Sequence, residues 1–232
     1  MKKIILIAAL GMIAFASAQE DRDAVAANNN GLVALASQGV GFSGGHGVIY
    51  NPPRGVVGSV YLFDNWKNSA IIETVENKRY KVNTVNFNAK ANTIEARING
   101  DSIFTFDYTN IDRVLINNRT FKNSYSPVEG GYRIFEVIAE TKDFSIYKDY
   151  TLDIKEGNPN PMLAQANDKY VLKDKYYMKK GKSFKKMKLK KSSVLKLAGK
   201  KAGELEAFAK KNRLSFKNER DLQKIATYYN TL

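Results

Sequence analysis

The sequence predicts a mainly β protein with a helical C-terminus, of the α+β class. Its expected form is an antiparallel β-meander sheet or open barrel capped by two to three short helices. Three observations carry this. Apolar residues recur at every second position between residues 56 and 154. They recur with helical spacing after residue 190, ending in the i, i+3, i+4, i+7 stripe Leu222, Ile225, Ala226 and Tyr229. Turn signals, among them Asn99-Gly100, Pro159, Pro161 and Lys180-Gly181, separate the runs.

Residues 1–18 read as a signal peptide. Lys2 and Lys3 precede an apolar stretch of 12 residues, and Ala16-Ser17-Ala18 offers a small-residue cleavage site before Gln19. A membrane anchor needs ~20 apolar residues, and Gln19-Glu20-Asp21 interrupts too early for one. The expectation is an exported protein, periplasmic or at the cell surface, with no transmembrane segment in the mature chain. Charges fall on both strand phases, which argues against an outer-membrane barrel. The chain has no cysteine, so it offers no disulfide, thiol nucleophile, thiolate metal site or cysteine-linked lipid. A mature length of 214 residues and an aromatic content of 11% suffice for a buried core.

Residues 19–54 form a flexible Gly/Asn-rich opening segment, with Asn28-Asn29-Asn30, the glycines from Gly39 to Gly47, Pro52-Pro53 and a short helix over residues 25–36. Residues 55–190 form the antiparallel β domain. Ile94, Ala96 and Ile98 alternate with Thr93, Glu95 and Arg97, as Phe104, Phe106 and Tyr108 do with Thr105 and Asp107. A two-residue turn at Asn99-Gly100 would place Phe104 opposite Glu95. Burial therefore predicts an odd loop or bulge that pairs Ala96 with Phe104, because a one-residue slip turns every side chain over. A phase change between Tyr80/Val82 and Val85/Phe87 predicts a bulge near Asn83. Residues 132–139 are apolar on both phases and belong at the centre of the sheet. Phe144, Ile146, Tyr150, Leu152 and Ile154 share one phase, interrupted only by Lys148. A last hairpin joins residues 170–178 to 184–189 through Lys180-Gly181. In the helical cap, residues 191–232, Ser192 caps a first helix over 194–198, and Leu205, Phe208 and Ala209 mark a second. Asn218 caps a third with Asp221 at the capping-box position.

Charge separates along the chain. Residues 19–168 carry 15 Lys+Arg against 18 Asp+Glu, whereas residues 169–232 carry 20 against 5. Lys179, Lys180, Lys182, Lys185, Lys186, Lys188, Lys190 and Lys191 crowd into the last hairpin and its exit. On a strand, Lys186, Lys188 and Lys190 would form a cationic ladder that attracts phosphate or carboxylate polymers. In an exported protein the partner class is anionic envelope polymers or a lipid surface, not intracellular nucleic acid. The competing reading is a solvated face, or a lysine-fringed edge strand that discourages aggregation.

Other motifs are weaker. Residues 39–44 fit G-x-G-x-x-G and residues 41–45 fit G-x-S-x-G, but neither has the strand–turn–helix context its chemistry needs. His46, the single histidine, makes no metal site alone, and no cofactor is expected. Among Glu95, Asp101, Asp107 and Glu136, alternation places most on solvated faces, which disfavours a glycosidase-type pair. Tyr61, Phe63 and Trp66 form either a sugar-stacking platform or core packing.

Gly58-Ser59-Val60-Tyr61-Leu62-Phe63-Asp64-Asn65-Trp66, Val85-Asn86-Phe87-Asn88, Asp101-Ser102-Ile103-Phe104-Thr105-Phe106, Asn158-Pro159-Asn160-Pro161-Met162, Lys175-Tyr176-Tyr177-Met178-Lys179 and Tyr228-Tyr229-Asn230 resemble an uncharacterised family of exported proteins of flavobacteria and related Bacteroidetes. The likeness covers most of residues 56–232. It implies a Gram-negative envelope location and carries no known activity. Asp101-Ser102-Ile103 also looks like the three-residue O-glycosylation acceptor of that phylum. The resulting expectation is a non-enzymatic envelope protein binding anionic material through residues 179–191. The alternatives are a structural or protein-interaction module, or an envelope hydrolase using a carboxylate pair.

Overall fold

A computed structural model of the chain describes residues 24–27, 45–49, 56–100, 102–157 and 167–232. Residues 1–18, read above as a signal peptide, the glycine motifs at 39–44, Pro52, Pro53, Asp101, Pro159 and Pro161 lie outside the described residues.

The strands are β1 (Ala24–Ala27), β2 (Gly45–Ile49), β3 (Val56–Val57), β4 (Ser69–Thr74), β5 (Arg79–Asn83), β6 (Val85–Asn88) and β7 (Thr93–Asn99). They continue with β8 (Ser102–Phe106), β9 (Ile111–Ile116), β10 (Arg119–Ser126), β11 (Gly131–Glu140), β12 (Ser145–Lys155), β13 (Asp168–Lys180) and β14 (Ser183–Met187). Helices α1 (Lys191–Ala198), α2 (Ala202–Lys211) and α3 (Glu219–Thr231) follow, with a short 3-10 turn between the first two. The class is α+β, as predicted, and the described strands form two sheets, neither closed into a barrel. The larger sheet runs β1-β5-β4-β9-β10-β11-β12-β13-β14, with β3 beside β13, and the smaller runs β2-β8-β7-β6.

The two sheets explain the phase change after Val82. It is a change of sheet instead of the predicted bulge. Tyr80 and Val82 belong to β5 in the large sheet, Val85 and Phe87 to β6 in the small one. The chain crosses at Thr84, whose φ is +58, and the Thr84 hydroxyl donates to the Arg97 carbonyl at 2.7 Å. Apolar residues of both sheets meet in one core that includes Ile72, Val114, Phe121 and Ile134 from one side and Phe87, Ile94 and Phe104 from the other. Ala96 does pair with Phe104, and a bulge at Ile98 absorbs the extra residue before Asn99 meets Ser102. Burial overrides turn preference there.

Strand β11 is central and buried on both faces between Ile134 and Ala139. A bulge between Val137 and Ala139 turns both Ile138 and Ala139 toward the helices, where they join Ile146, Leu205 and Ile225. The shared phase along β12 therefore has two roofs. Ile146 lies under the helices and Tyr150 under the small sheet. Lys148 stands at the seam, where it pairs with Glu219 at the start of α3 at 2.9 Å and with Asp174 at 3.2 Å. Beyond the small sheet the strand loses its cover, and Ile154 is 52% exposed.

The other face of β11–β14 curls inward. Phe135 on β11 and Phe184 on β14 lie 5.5 Å apart between ring centroids, although three strand steps in a flat sheet span about 14 Å. Val137, Tyr147 and Tyr177 complete this separate apolar cluster.

Several local expectations change. Residues 25–27, read as helix, are strand, paired parallel to β5. Alanine by itself favours helix, but pairing with β5 covers an otherwise open sheet edge and overrides that local preference. The rest of that predicted helix lies outside the described residues. Lys190, not Ser192, occupies the N-cap of α1, without a side-chain hydrogen bond. Asn218 caps α3 as expected, accepting from the Asp221 N–H at 3.1 Å.

Candidate functional site

The basic hairpin forms as its alternation requires. Gly181, at φ +55, turns the chain between β13 and β14, in a conformation that costs glycine little. Strand β14 ends at Met187, so the predicted ladder of Lys186, Lys188 and Lys190 does not form. The strand stops because the chain turns into α1, and Lys188 and Lys190 lie in that connection. Register places Lys186 opposite Tyr177 on the concave face and Lys185 opposite Met178 on the reverse. The lysines therefore fan around the hairpin.

All eight are exposed, but three have partners. Lys180 Nζ donates to the Leu197 carbonyl at 2.7 Å, satisfying an open C-terminal carbonyl of α1. Lys191 pairs with Glu206. Lys179 Nζ donates to Ser124 Oγ at 3.3 Å, which is opposite in direction to the proton transfer that would activate a serine. Lys182, Lys185, Lys186, Lys188 and Lys190 form no ion pair with a described residue.

Folding adds cations that sequence distance concealed. Lys122 and Lys142 line a polar groove of about 370 Å³ beside Lys179, with Lys122 paired to Glu140 at 2.8 Å. Lys142 also stands against Lys201. Desolvation, followed by the hydrogen bond and repulsion from Lys142, holds the Lys201 ammonium below its ordinary value. Like charges in contact are unfavourable without an intervening anion.

The carboxylates correct another expectation, since Glu95 and Glu136 are buried. Glu95 lies under residues 59–66, which fold over the small sheet. It accepts from the Tyr61 hydroxyl at 2.8 Å, Asn88 Nδ2 at 3.0 Å and the Thr93 hydroxyl at 2.7 Å. Glu136 takes a two-pronged hydrogen bond from Arg119 at 2.7 and 2.8 Å and another from the Tyr150 hydroxyl. Both carboxylates are occupied by structural donors. Asp107 is exposed, and Asp101 lies outside the described residues. Trp66 packs edge-to-face on Tyr61 at 4.6 Å and is covered by Arg97 at 4.7 Å, so this aromatic cluster is packing. His46 lies on β2, a strand following the glycine motifs where their chemistry would need a helix. Among the described residues no cluster of His, Asp and Glu could hold a metal ion.

Asp149, which sequence reasoning passed over, is 0% exposed on the concave face. Arg133 Nη2 lies 3.0 Å from its Oδ1, yet Asp149 Oδ2 and Arg133 Nε have no partner. Burial raises the Asp149 carboxyl above its ordinary value, and Arg133 offsets only part of this. A carboxyl raised in the folded state binds its proton more tightly there than in the unfolded chain. Its contribution to stability is therefore lost as pH rises through the folded value. Asp149→Asn should gain stability relative to the parent as pH rises from about 4 to 7. Urea melts across that range check the sign.

Comparison with protein-family models, curated proteins and solved structures finds no match for this chain. The geometry of the site alone carries the functional reading.

Proposed function

We propose that this is an exported, non-enzymatic protein that docks onto anionic material of a Gram-negative envelope through the β13–β14 lysines and the cations beside them. One observation carries the reading: five exposed lysines without ion pairs to described residues sit on a hairpin and its exit toward α1, held in place by the Phe135, Tyr147, Tyr177 and Phe184 cluster. The leader-like first 18 residues and the resemblance to exported Bacteroidetes proteins support the compartment. No described helix is long and apolar enough to cross a membrane, so attachment through surface charge suits the described elements. Lysine ammoniums are strongly hydrated point charges on flexible stems. Fanned around a hairpin, they suit a polyanion with many phosphates or carboxylates better than one small ligand of fixed shape.

Cosedimentation of the protein from Gln19 onward with lipopolysaccharide and with peptidoglycan tests this reading. Binding should fall at least about tenfold between ~50 and ~200 mM salt. It should disappear in a Lys182→Gln, Lys185→Gln, Lys186→Gln, Lys188→Gln variant, which spares the lysines that bond Ser124, Leu197 and Glu206. Absence of binding at low salt would defeat the proposal for these polymers. A second reading is favoured by the position of β14 as the last strand of its sheet. There the lysines protect an open edge, and the same variant would self-associate without any loss of ligand binding.

A further inference from the structure

At one end the two sheets part and leave a cleft of about 430 Å³ between them. Register decides which side chains face it. Asn123 pairs with Ile134 and Tyr125 with Tyr132 across β10 and β11, so all four project toward the small sheet. Ile134 is buried there. The Asn92 side chain clamps its backbone, donating to the carbonyl at 3.1 Å and accepting from the N–H at 2.8 Å. One position further out, Tyr132 is 74% exposed and stands edge-to-face with Tyr125, itself 54% exposed, at 5.4 Å. The open Tyr132 ring therefore marks the mouth of the cleft, with Tyr125 packed beside it.

The opposite wall holds Phe106, Asp107 and Tyr108. The Tyr108 hydroxyl is buried and has no hydrogen-bond partner. Such a group costs free energy unless something else satisfies it. The Asn123 amide makes no hydrogen bond to a described residue and remains available. Arg133 points to the other face of the sheet, where Asp149 takes its guanidinium. The cleft thus presents a carboxylate, an amide and a hydroxyl without an unpaired cation, a lining unsuited to anions.

We propose that this cleft binds a neutral oligosaccharide, with the Tyr132 ring against a sugar's C–H face, Tyr125 edge-on beside it, and Asn123, Asp107 and Tyr108 meeting its hydroxyls. Rings with an apolar body beside a few convergent polar groups match a ligand that is apolar on its faces and hydroxylated at its rim. The site lies apart from the basic hairpin and does not depend on the docking reading.

The test titrates the protein from Gln19 onward with maltotetraose, cellotetraose, chitotetraose, xylotetraose and mannotetraose, read by saturation-transfer NMR and calorimetry. At least one should bind with a Kd below about 10 mM. Tyr132→Ala, at an exposed position, should weaken that binding by about tenfold with an unchanged Tm. Tyr108→Phe removes only the orphaned hydroxyl. It should weaken binding while leaving Tm unchanged or raised, whereas a purely structural hydroxyl would lower Tm on removal. The lysine-to-glutamine variant should bind the sugar like the parent, so failure of one proposal is distinguishable from failure of the other. Binding of none of the five sugars, or parental affinity in both tyrosine variants, would overturn the inference. A lowered Tm in Tyr108→Phe would remove its main premise.

Discussion

Arg119→Met is expected to destabilise the protein by about 3–5 kcal/mol, because it leaves the Glu136 carboxylate buried without its counter-ion. The guanidinium makes the two-pronged hydrogen bond to Glu136 and lies against the rings of Phe63, Phe121 and Tyr150 at 5.1, 5.7 and 5.5 Å. Tyr150 donates to the same carboxylate. Burial first, and the neighbouring Glu136 charge second, push its phenol far above the ordinary value, so the ring contributes a hydrogen bond but no charge. A methionine retains much of the contact with the rings and loses the charge together with its hydrogen bonds to Glu136. The companion double variant, Arg119→Met with Glu136→Leu, should recover most of the loss, since a buried ion pair often contributes little over well-packed apolar residues of similar size. Guanidinium melts of the three proteins decide the matter. A single variant within about 1 kcal/mol of the parent would show that Glu136 reaches water when Arg119 is removed.

Phe135→Ala should cost a comparable amount, about 3–5 kcal/mol, and would test the curl of the sheet directly. Phe135 is fully buried and meets Tyr147, Tyr177 and Phe184 at 5.6, 5.7 and 5.5 Å. These rings come from four successive strands of the sheet, so their packing holds β14 against β11. The alanine variant leaves a cavity among rings that strand pairing prevents from closing inward. For a chain of this size the loss corresponds to a fall in Tm of about 2–4 °C per kcal/mol. Amide exchange should quicken most in β14, the last strand of the sheet, and in its neighbour β13. A cost below about 1.5 kcal/mol would mean that this face is a surface groove rather than a second core.

The hairpin at Asn99-Gly100 illustrates what was legible locally. The expected separation of polar Glu95 from apolar Phe104 alone predicted an odd loop or bulge that pairs Ala96 with Phe104, and the structure supplies it as a bulge at Ile98. The α3 cap and stripe, the centrality of β11 and the turn at Gly181 were equally readable, because each depends on residues within a few positions of one another. Lys148 was visible as an interruption but unexplained. Its reason is a seam between two covering layers that come from opposite ends of the chain. Glu95 and Glu136 misled for the same reason. Alternation reports which side of a strand is polar, but not whether Tyr61 or Arg119 will arrive from elsewhere to cover it.

By itself the sequence determined the class of the protein, its helical end, its run of paired strands and the concentration of positive charge after residue 168. Those properties follow from periodicity and composition, which are local. Only the tertiary structure decided that the strands divide into two sheets, that the large sheet curls around a ring of aromatics, and that its lysines fan out instead of aligning. It alone set the orphaned Tyr108 hydroxyl beside Tyr132 and Asn123. Long-range burial chose between arrangements that satisfy the same local pattern, and hydrogen bonding to buried groups fixed the choice.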